Sequence, residues 1–390
     1  MSHRISFNIA NLLTGFYFFC FILLTPIFAT QDLGLSLTET GIALTAFAAA
    51  VVITSPIWGA ISDRIGRRKI FLVGGTILFA VSSFLLFYVE SYEQLLFLRA
   101  FQGIGFAANP MLTALFSDRF GRSTGKRFGV YSAANSLGWG LGGIVAGVLA
   151  DLTDVRTVFI FAAFVALANA TIMLCFIPEK QKQIQDQSAT KVPGRLYVLY
   201  GTLFIRQAAA ISLWAIFPIY LGNFVSSLTA IGLISSSNML VQPAFMLLVG
   251  RIAERFDKLN LVLLGIIGSV ITFMVFAVAP YLEFIVLGQI MIAISWSFVF
   301  IGINLYIIES TSSRNRGKAF GFLQASFTTA AAIGPLIGGP LSDLTSIPDM
   351  ILIVSGMMLF SLPFLFILKS LDRKHRARQI NFSSDFAGSD

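Results

Sequence analysis

Residues 39–69 read ETGIALTAFAAAVVITSPIWGAISDRIGRRK. After Glu39 the run carries no charge until Asp63. Residues 39–62, at about 1.5 Å of rise each, are long enough to cross about 30 Å of hydrocarbon as a helix. The run then ends abruptly in Asp63, Arg64, Arg67, Arg68 and Lys69. An apolar rod closed by a cluster of cations is the pattern of a membrane span meeting a water-facing loop.

The pattern recurs throughout the chain. Its 390 residues are 56% hydrophobic and only 12% charged, whereas a soluble domain carries about 25% charged residues. So little charge cannot coat a soluble surface, and the high hydrophobicity excludes a disordered chain. Twelve stretches have span length and composition: 6–30, 39–62, 70–89, 92–116, 127–150, 155–177, 195–222, 226–250, 259–278, 281–308, 318–341 and 348–369. None alternates polar and apolar residues as a lipid-facing strand must, so all twelve are expected to be helices. The first is too long for a signal-peptide core.

Of the 27 Lys and Arg, all but Arg99, Arg156 and Arg206 fall in the loops and tails of one side. By the positive-inside rule that side is cytoplasmic, which places both termini there, in a cell membrane. The net charge of +8 therefore reports topology, and no nucleic-acid partner is expected. The only histidines, His3 and His375, lie in terminal polar sequence, and Cys20 and Cys175 in apolar runs. Neither a histidine-based catalytic site, nor a metal site, nor a disulfide framework can be assembled. No GxxxxGK[ST] loop is present to hold ATP, and no cofactor is expected.

The longest polar connection divides the chain into a six-span bundle over 1–177, a cytoplasmic linker over 178–194, a second six-span bundle over 195–369 and a tail over 370–390, expected to be disordered. The halves repeat weakly. Gly59, Asp63 and Arg64 correspond to Gly250, Glu254 and Arg255 at an offset of 191, and Gly129, Gly142, Gly147 and Asp151 to Gly321, Gly334, Gly339 and Asp343 at 192. Parallel repeats of this kind place a substrate site near the midplane, between the halves.

The segment from Gly59 through Asp63, Arg64, Gly66, Arg67 and Arg68 to Lys69 resembles the loop signature of the major facilitator superfamily, and the resemblance extends over all twelve spans. It implies an all-α integral membrane protein of two pseudo-symmetric six-helix bundles that moves a small-molecule substrate by alternating access. It also implies that these loop residues form a cytoplasmic latch favouring one access state, with Gly59 letting helix backbones approach closely. Arg99 and Gln102, followed by Gly103 and Gly105, resemble the span-four motif in which a buried arginine supports proton-coupled exchange. Gly138, Gly142, Gly143 and Gly147 resemble the antiporter motif of span five, although Gly143 stands where that motif has proline and Ala146 replaces a glycine. Gly334-Pro335 in span eleven is closer to the pattern. Close helix packing explains these glycines under either reading.

One feature of drug exporters in this family is missing. Span one offers Asn8, Asn11, Thr14, Tyr17 and Thr25 but no acid, and all 19 Asp and Glu lie at span ends, in loops or in the tail. A coupling proton or other ion would have to use an acid at a span edge. The cation at mid-depth is Arg206, about 15 Å into its helix, where a charge is penalised by at least about 2.5–3.5 kcal/mol unless it meets a partner or a wet cavity. Two readings follow: contact with an anionic or strongly polar substrate group, or a structural arginine satisfied by carbonyls and by Gln207, Asn238 and Gln242. In the family, spans one, four, seven and ten line the path, which adds Tyr17, Gln102, Trp214, Trp296, Asn304 and Gln324 to the candidates.

The leading expectation is a secondary transporter exporting an organic, amphipathic or anionic compound. The alternatives are an uptake transporter or uniporter for a small metabolite and, more remotely, a lipid-modifying enzyme or a non-transporting sensor. Apart from substrate, ion and membrane lipid, nothing in the sequence demands a partner or more than a monomer.

Overall fold

The computed structural model describes residues 3–120, 125–179, 192–312 and 315–387. Most of the linker, 180–191, lies outside these. The described elements are α1 (His3–Ile27, prolonged by a π turn over Phe28–Asp32), α2 (Leu37–Ile65), α3 (Arg68–Leu85), α4 (Tyr92–Phe106), α5 (Pro110–Phe120), α6 (Gly125–Leu152), α7 (Val155–Phe176), α8 (Arg195–Trp214), α9 (Phe217–Leu221), α10 (Leu228–Ala253), α11 (Lys258–Ala277), α12 (Leu282–Ser310), α13 (Arg316–Leu344), α14 (Ile347–Leu359) and α15 (Ser361–Ala387).

Eleven of the twelve expected spans are helices long and apolar enough to cross a bilayer. The fourth is broken into α4 and α5 around residues 107–109, because Pro110 lacks an N–H and disfavours helical backbone at Asn109. The breaks between α8 and α9 and between α14 and α15 also fall beside prolines, Pro218 and Pro363. Hydroxyls and carboxylates mark other starts: Ser36, Ser91, Asp154, Ser227 and Ser346 each accept a bond from the first turn of the helix they begin. The C-terminal segment corrects the expectation of a disordered tail. Span twelve continues as helix to Ala387, since nothing between Ser370 and Ala387 is Pro or Gly.

The turn where that helix leaves the bilayer is tied down. Arg195 Nη1 lies 2.9 Å from Asp372 Oδ1, and the Tyr306 hydroxyl donates to the same oxygen at 3.1 Å. Asp372 is buried. Removing one partner of such a pair strands the other charge, at about 3–5 kcal/mol when burial is complete. Asp372→Ala is therefore expected to lower the melting temperature of the purified protein by several degrees, read by a thiol-independent thermal shift.

In the first bundle α1 packs on α6 and α7, α2 on α4, and α3 on α4 and α7. In the second, α8 packs on α13, α14 and α15, and α11 on α12 and α14. The bundles meet chiefly through two pairs, α2 with α13 and α6 with α10, with a smaller contact of α1 on α9. The repeat seen in the sequence is physical at these contacts. A Cβ on Gly142 would strike the Phe16 carbonyl of α1, and one on Gly334 the Ala208 carbonyl of α8. Gly147 seats the Leu228 carbonyl and Gly339 the Leu37 carbonyl; Gly232 seats that of Gly143, and Gly41 that of Pro335. Each pair is related by a shift of 191 or 192, so the two halves use the same glycine seats for the same neighbours.

These cross-bundle seats all lie toward the end opposite the basic loops. Toward the basic end, Gly59 on α2, Gly129 on α6, Gly250 on α10 and Gly321 on α13 have open space where a Cβ would stand. The molecule is closed at one end and parted at the other. The close approach expected at Gly59 is accordingly not made in this state: the helix ends that it would bring together are apart.

Candidate substrate site and gates

Arg206 is only 2% exposed. Its Nη1 donates to Gln207 Oε1 at 2.8 Å and its Nη2 to Ser269 Oγ at 2.7 Å, while Cζ stands 5.0 Å from the Trp296 ring centroid. Among the described residues Nε has no partner, and the guanidinium is held between α8, α11 and α12 by neutral groups alone. A cation over a tryptophan face is worth about 2 kcal/mol when desolvated, which together with two charge-assisted bonds offsets much of the burial cost. Of the amides expected among its partners Gln207 is present, whereas Ser269 and Trp296 stand where Asn238 and Gln242 were expected, because α10 packs on α6 and α12 rather than on α8. Asn238 is buried, with its Oδ1 unpartnered, and Gln242 is half-buried.

The first bundle contains a parallel arrangement. Arg99, 4% exposed, donates to Gln102 Oε1 and lies 4.5 Å from the Phe47 ring centroid; Gln102 Nε2 donates to Ser83 Oγ at 2.7 Å. Gln102 is therefore occupied inside its bundle between α4 and α3. Tyr17 is likewise interior, its hydroxyl set among Thr14, Thr76 and Asn169. Two other polar residues of span one bind helices together: Asn11 Nδ2 donates to the Tyr131 carbonyl at 2.8 Å, and Asn169 Nδ2 to Thr14 Oγ1 at 3.0 Å. Trp214 packs edge-on to Phe217, Phe273 and Phe276. Trp214 stands seven residues beyond Gln207, on the same helical face, but in different surroundings. Asn304 donates to the Phe300 carbonyl within its own helix at 2.7 Å, and Gln324 is exposed.

Each bundle also gathers aromatic rings. Phe18 stacks on Phe106 with ring centroids 4.2 Å apart and stands 5.4 Å from Trp139 and 5.8 Å from Phe47. These four rings come from α1, α4, α6 and α2. On the second bundle, Trp296 lies 6.0 Å from both Phe300 and Phe327. Each bundle thus carries a cluster of rings that is partly exposed, the second backed by Arg206, and aromatic faces of this kind suit a flat apolar solute. Phe18, Phe106 and Trp139 had no place among the sequence candidates; the lone Trp between Gly138 and Gly140 was the available signal, since small flanking residues leave a large ring uncovered.

At the basic end Gly66 closes α2 with φ of 73°, a left-handed conformation suited to glycine. The reversed chain brings Arg68 back to Asp63 at 3.0 Å and across to Asp118 at 2.7 Å. Asp63 thus accepts from a cation, and Arg68 staples α2 and α3 to α5 within one bundle. Arg64 and Arg67 are exposed. Gly143 approaches Ser236 and Phe19, and Pro335 offers its carbonyl to Gly41.

The family model of the Major Facilitator Superfamily matches residues 7–221 and again 199–385. The multi-drug resistance efflux pump PmrA of Streptococcus pneumoniae is 26% identical over 85% of this chain and 87% of its own length. The quinolone resistance protein NorA of Staphylococcus aureus is 25% identical, covering 89% and 91%. Multidrug resistance protein 1 of Bacillus subtilis is 28% identical, covering 80% and 83%. Among solved structures, the nucleoside transporter NupG superposes with a TM-score of 0.78 at 15% identity, covering 95% of this chain and 99% of that one. The human organic anion transporter MFSD10 gives 0.68 at 18% identity, covering 93% and 98%. With its long apolar helices, its repeated glycine seats and a family match over nearly its whole length, this chain belongs to the Major Facilitator Superfamily and is a membrane transporter of small solutes, not an enzyme.

Proposed function

We propose that this transporter exports flat, amphipathic organic compounds bearing an anionic or strongly polar group. The observation that carries the reading is Arg206, a buried cation with neutral partners only, set behind the half-exposed Trp296. Gln207 is the acceptor that a substrate anion would displace, with Trp296 and Phe300 on one side of the solute and Phe18, Phe106 and Trp139 on the other. The relatives' names as efflux pumps support export. The basic loops and both termini face the cytoplasm, so the parted end is the loading side, and bundles corresponding to 1–177 and 195–369 rock about the shared site as monomers.

Flux into proteoliposomes tests this with a matched set of aromatic compounds that are anionic, neutral or cationic, each with and without an imposed pH gradient. The anionic and polar members are expected to move and the cations not to; preferential flux of cations would overturn the reading. Trp139→Ala is expected to reduce flux of the bulkiest aromatic substrates by about tenfold, since base-type stacking on an aromatic face is worth about 1–3 kcal/mol, while leaving the melting temperature within a few degrees.

A further inference from the structure

Two carboxylates 192 residues apart do the same work at the closed end. Asp151, near the end of α6, accepts from Ser227 Oγ at 2.6 Å, from the Leu228 N–H at 2.8 Å and from the Thr229 N–H at 2.8 Å. Asp343, near the end of α13, accepts from the Leu37 N–H at 3.2 Å, the Thr38 N–H at 2.7 Å and Thr38 Oγ1 at 2.6 Å. Both reach across the bundle boundary, α6 to α10 and α13 to α2. Each therefore lays a negative charge on the N-terminus of a helix in the opposite bundle, where unsatisfied N–H groups and the helix dipole favour an anion.

We propose that Asp151 and Asp343 are paired gating residues: they clasp this end shut, and their release is a step of the transport cycle. The inference rests on the alternation of access proposed above. Three features support it. The clasped residues are those whose neighbouring backbone sits in a glycine seat, Leu228 on Gly147 and Leu37 on Gly339, so clasp and seat open together. Each helix already has an N-cap of its own in Ser36 or Ser227, so the carboxylates are additional to what the helices need to begin. The clasped groups are exposed at their end of the molecule, and water can replace each bond on opening. The clasp thus biases the closed state without locking it.

The test uses the full chain in a Cys20→Ser, Cys175→Ser background with spin labels at Leu152→Cys and Leu344→Cys. These native side chains are 77% and 80% exposed, beside the two carboxylates. A second label pair, Ile65→Cys and Phe256→Cys, reads the basic end. Asn keeps one acceptor but loses the charge and the second acceptor. Asp151→Asn with Asp343→Asn is expected to raise the ratio of long to short distances at the clasped end at least tenfold, with reciprocal shortening at the basic end. Each single variant should give a partial shift of the same sign, which keeps the test available if the double variant does not fold. A folded variant with unchanged distances overturns the proposal. So does widening at the clasped end with no reciprocal change, because that is the mark of a structural staple. The distances are read without substrate, so a failure of the substrate panel leaves this result standing, and a failure here leaves the panel standing.

Discussion

Arg206→Met is expected to reduce transport of anionic aromatic compounds at least tenfold while leaving the protein folded, with a melting temperature equal to or above that of the parent. The two halves of this result have one cause. The guanidinium is buried among Gln207, Ser269 and Trp296, and among the described residues it forms no ion pair. Removing it strands no opposite charge, unlike the breaking of a buried ion pair. Removing the guanidinium also removes the cost of keeping a charge out of water, and Gln207, which loses its partner, is only half-buried. Gln207 and Ser269 lose one bond each, but Ser269 also donates to the Gly265 carbonyl at 2.8 Å and remains satisfied.

The function should move the other way. A charge costing several kcal/mol at this depth would be replaced readily by an apolar residue if only structure mattered. Arg206→Lys is the discriminating companion. It keeps the charge but loses the planar fork that reaches Gln207 and Ser269 together. An intermediate flux is expected, with the anion preference retained. Equal fluxes for parent, Lys and Met variants across the anionic panel would remove the anion argument, and the melting curves would show that misfolding was not the reason.

Much of the architecture was legible in the chain because span length, charge at span ends and the repeat are one-dimensional quantities. Counting apolar runs needs no knowledge of neighbours, and the offset of 192 linking Gly142 with Gly334 survives intact as two glycines seated on Phe16 and Ala208. What could not be read is rotation about each helix axis. In a helix apolar all round, nothing distinguishes the face that meets the other bundle from the face that meets its own, so the sequence offers Tyr17 and Gln102 as path residues although both point into their own bundle. The same blindness hid Phe18 and Trp139. The clasp was half visible: Asp151 and Asp343 belong to the repeat, but which helix start each would meet depends on how the bundles dock. Arg206 was found by depth alone, and its partners depend on α11, which sequence spacing does not place.

The repeated glycines predict opposite responses to the same kind of change. Gly142→Leu is expected to prevent recovery of folded protein from the membrane, because its Cβ would overlap the Phe16 carbonyl, and a backbone carbonyl in a packed helix pair cannot move aside as a side-chain tip can. Overpacking costs about 1–3 kcal/mol where neighbours yield; here the whole contact between α1 and α6 must separate. Gly334→Leu, against Ile211 and the Ala208 carbonyl, should fail in the same way. At the parted end the sign reverses. A Cβ at Gly129 or Gly321 meets nothing, and alanine exceeds glycine in a helix interior by about 0.5–1 kcal/mol, so Gly129→Ala and Gly321→Ala should raise the melting temperature. Gly59→Ala should do likewise yet lower flux, since the space its Cβ would fill is what α2 needs when the basic end closes. A Gly59→Ala protein that is more stable and transports at the parental rate would show that the backbones never come together at that point.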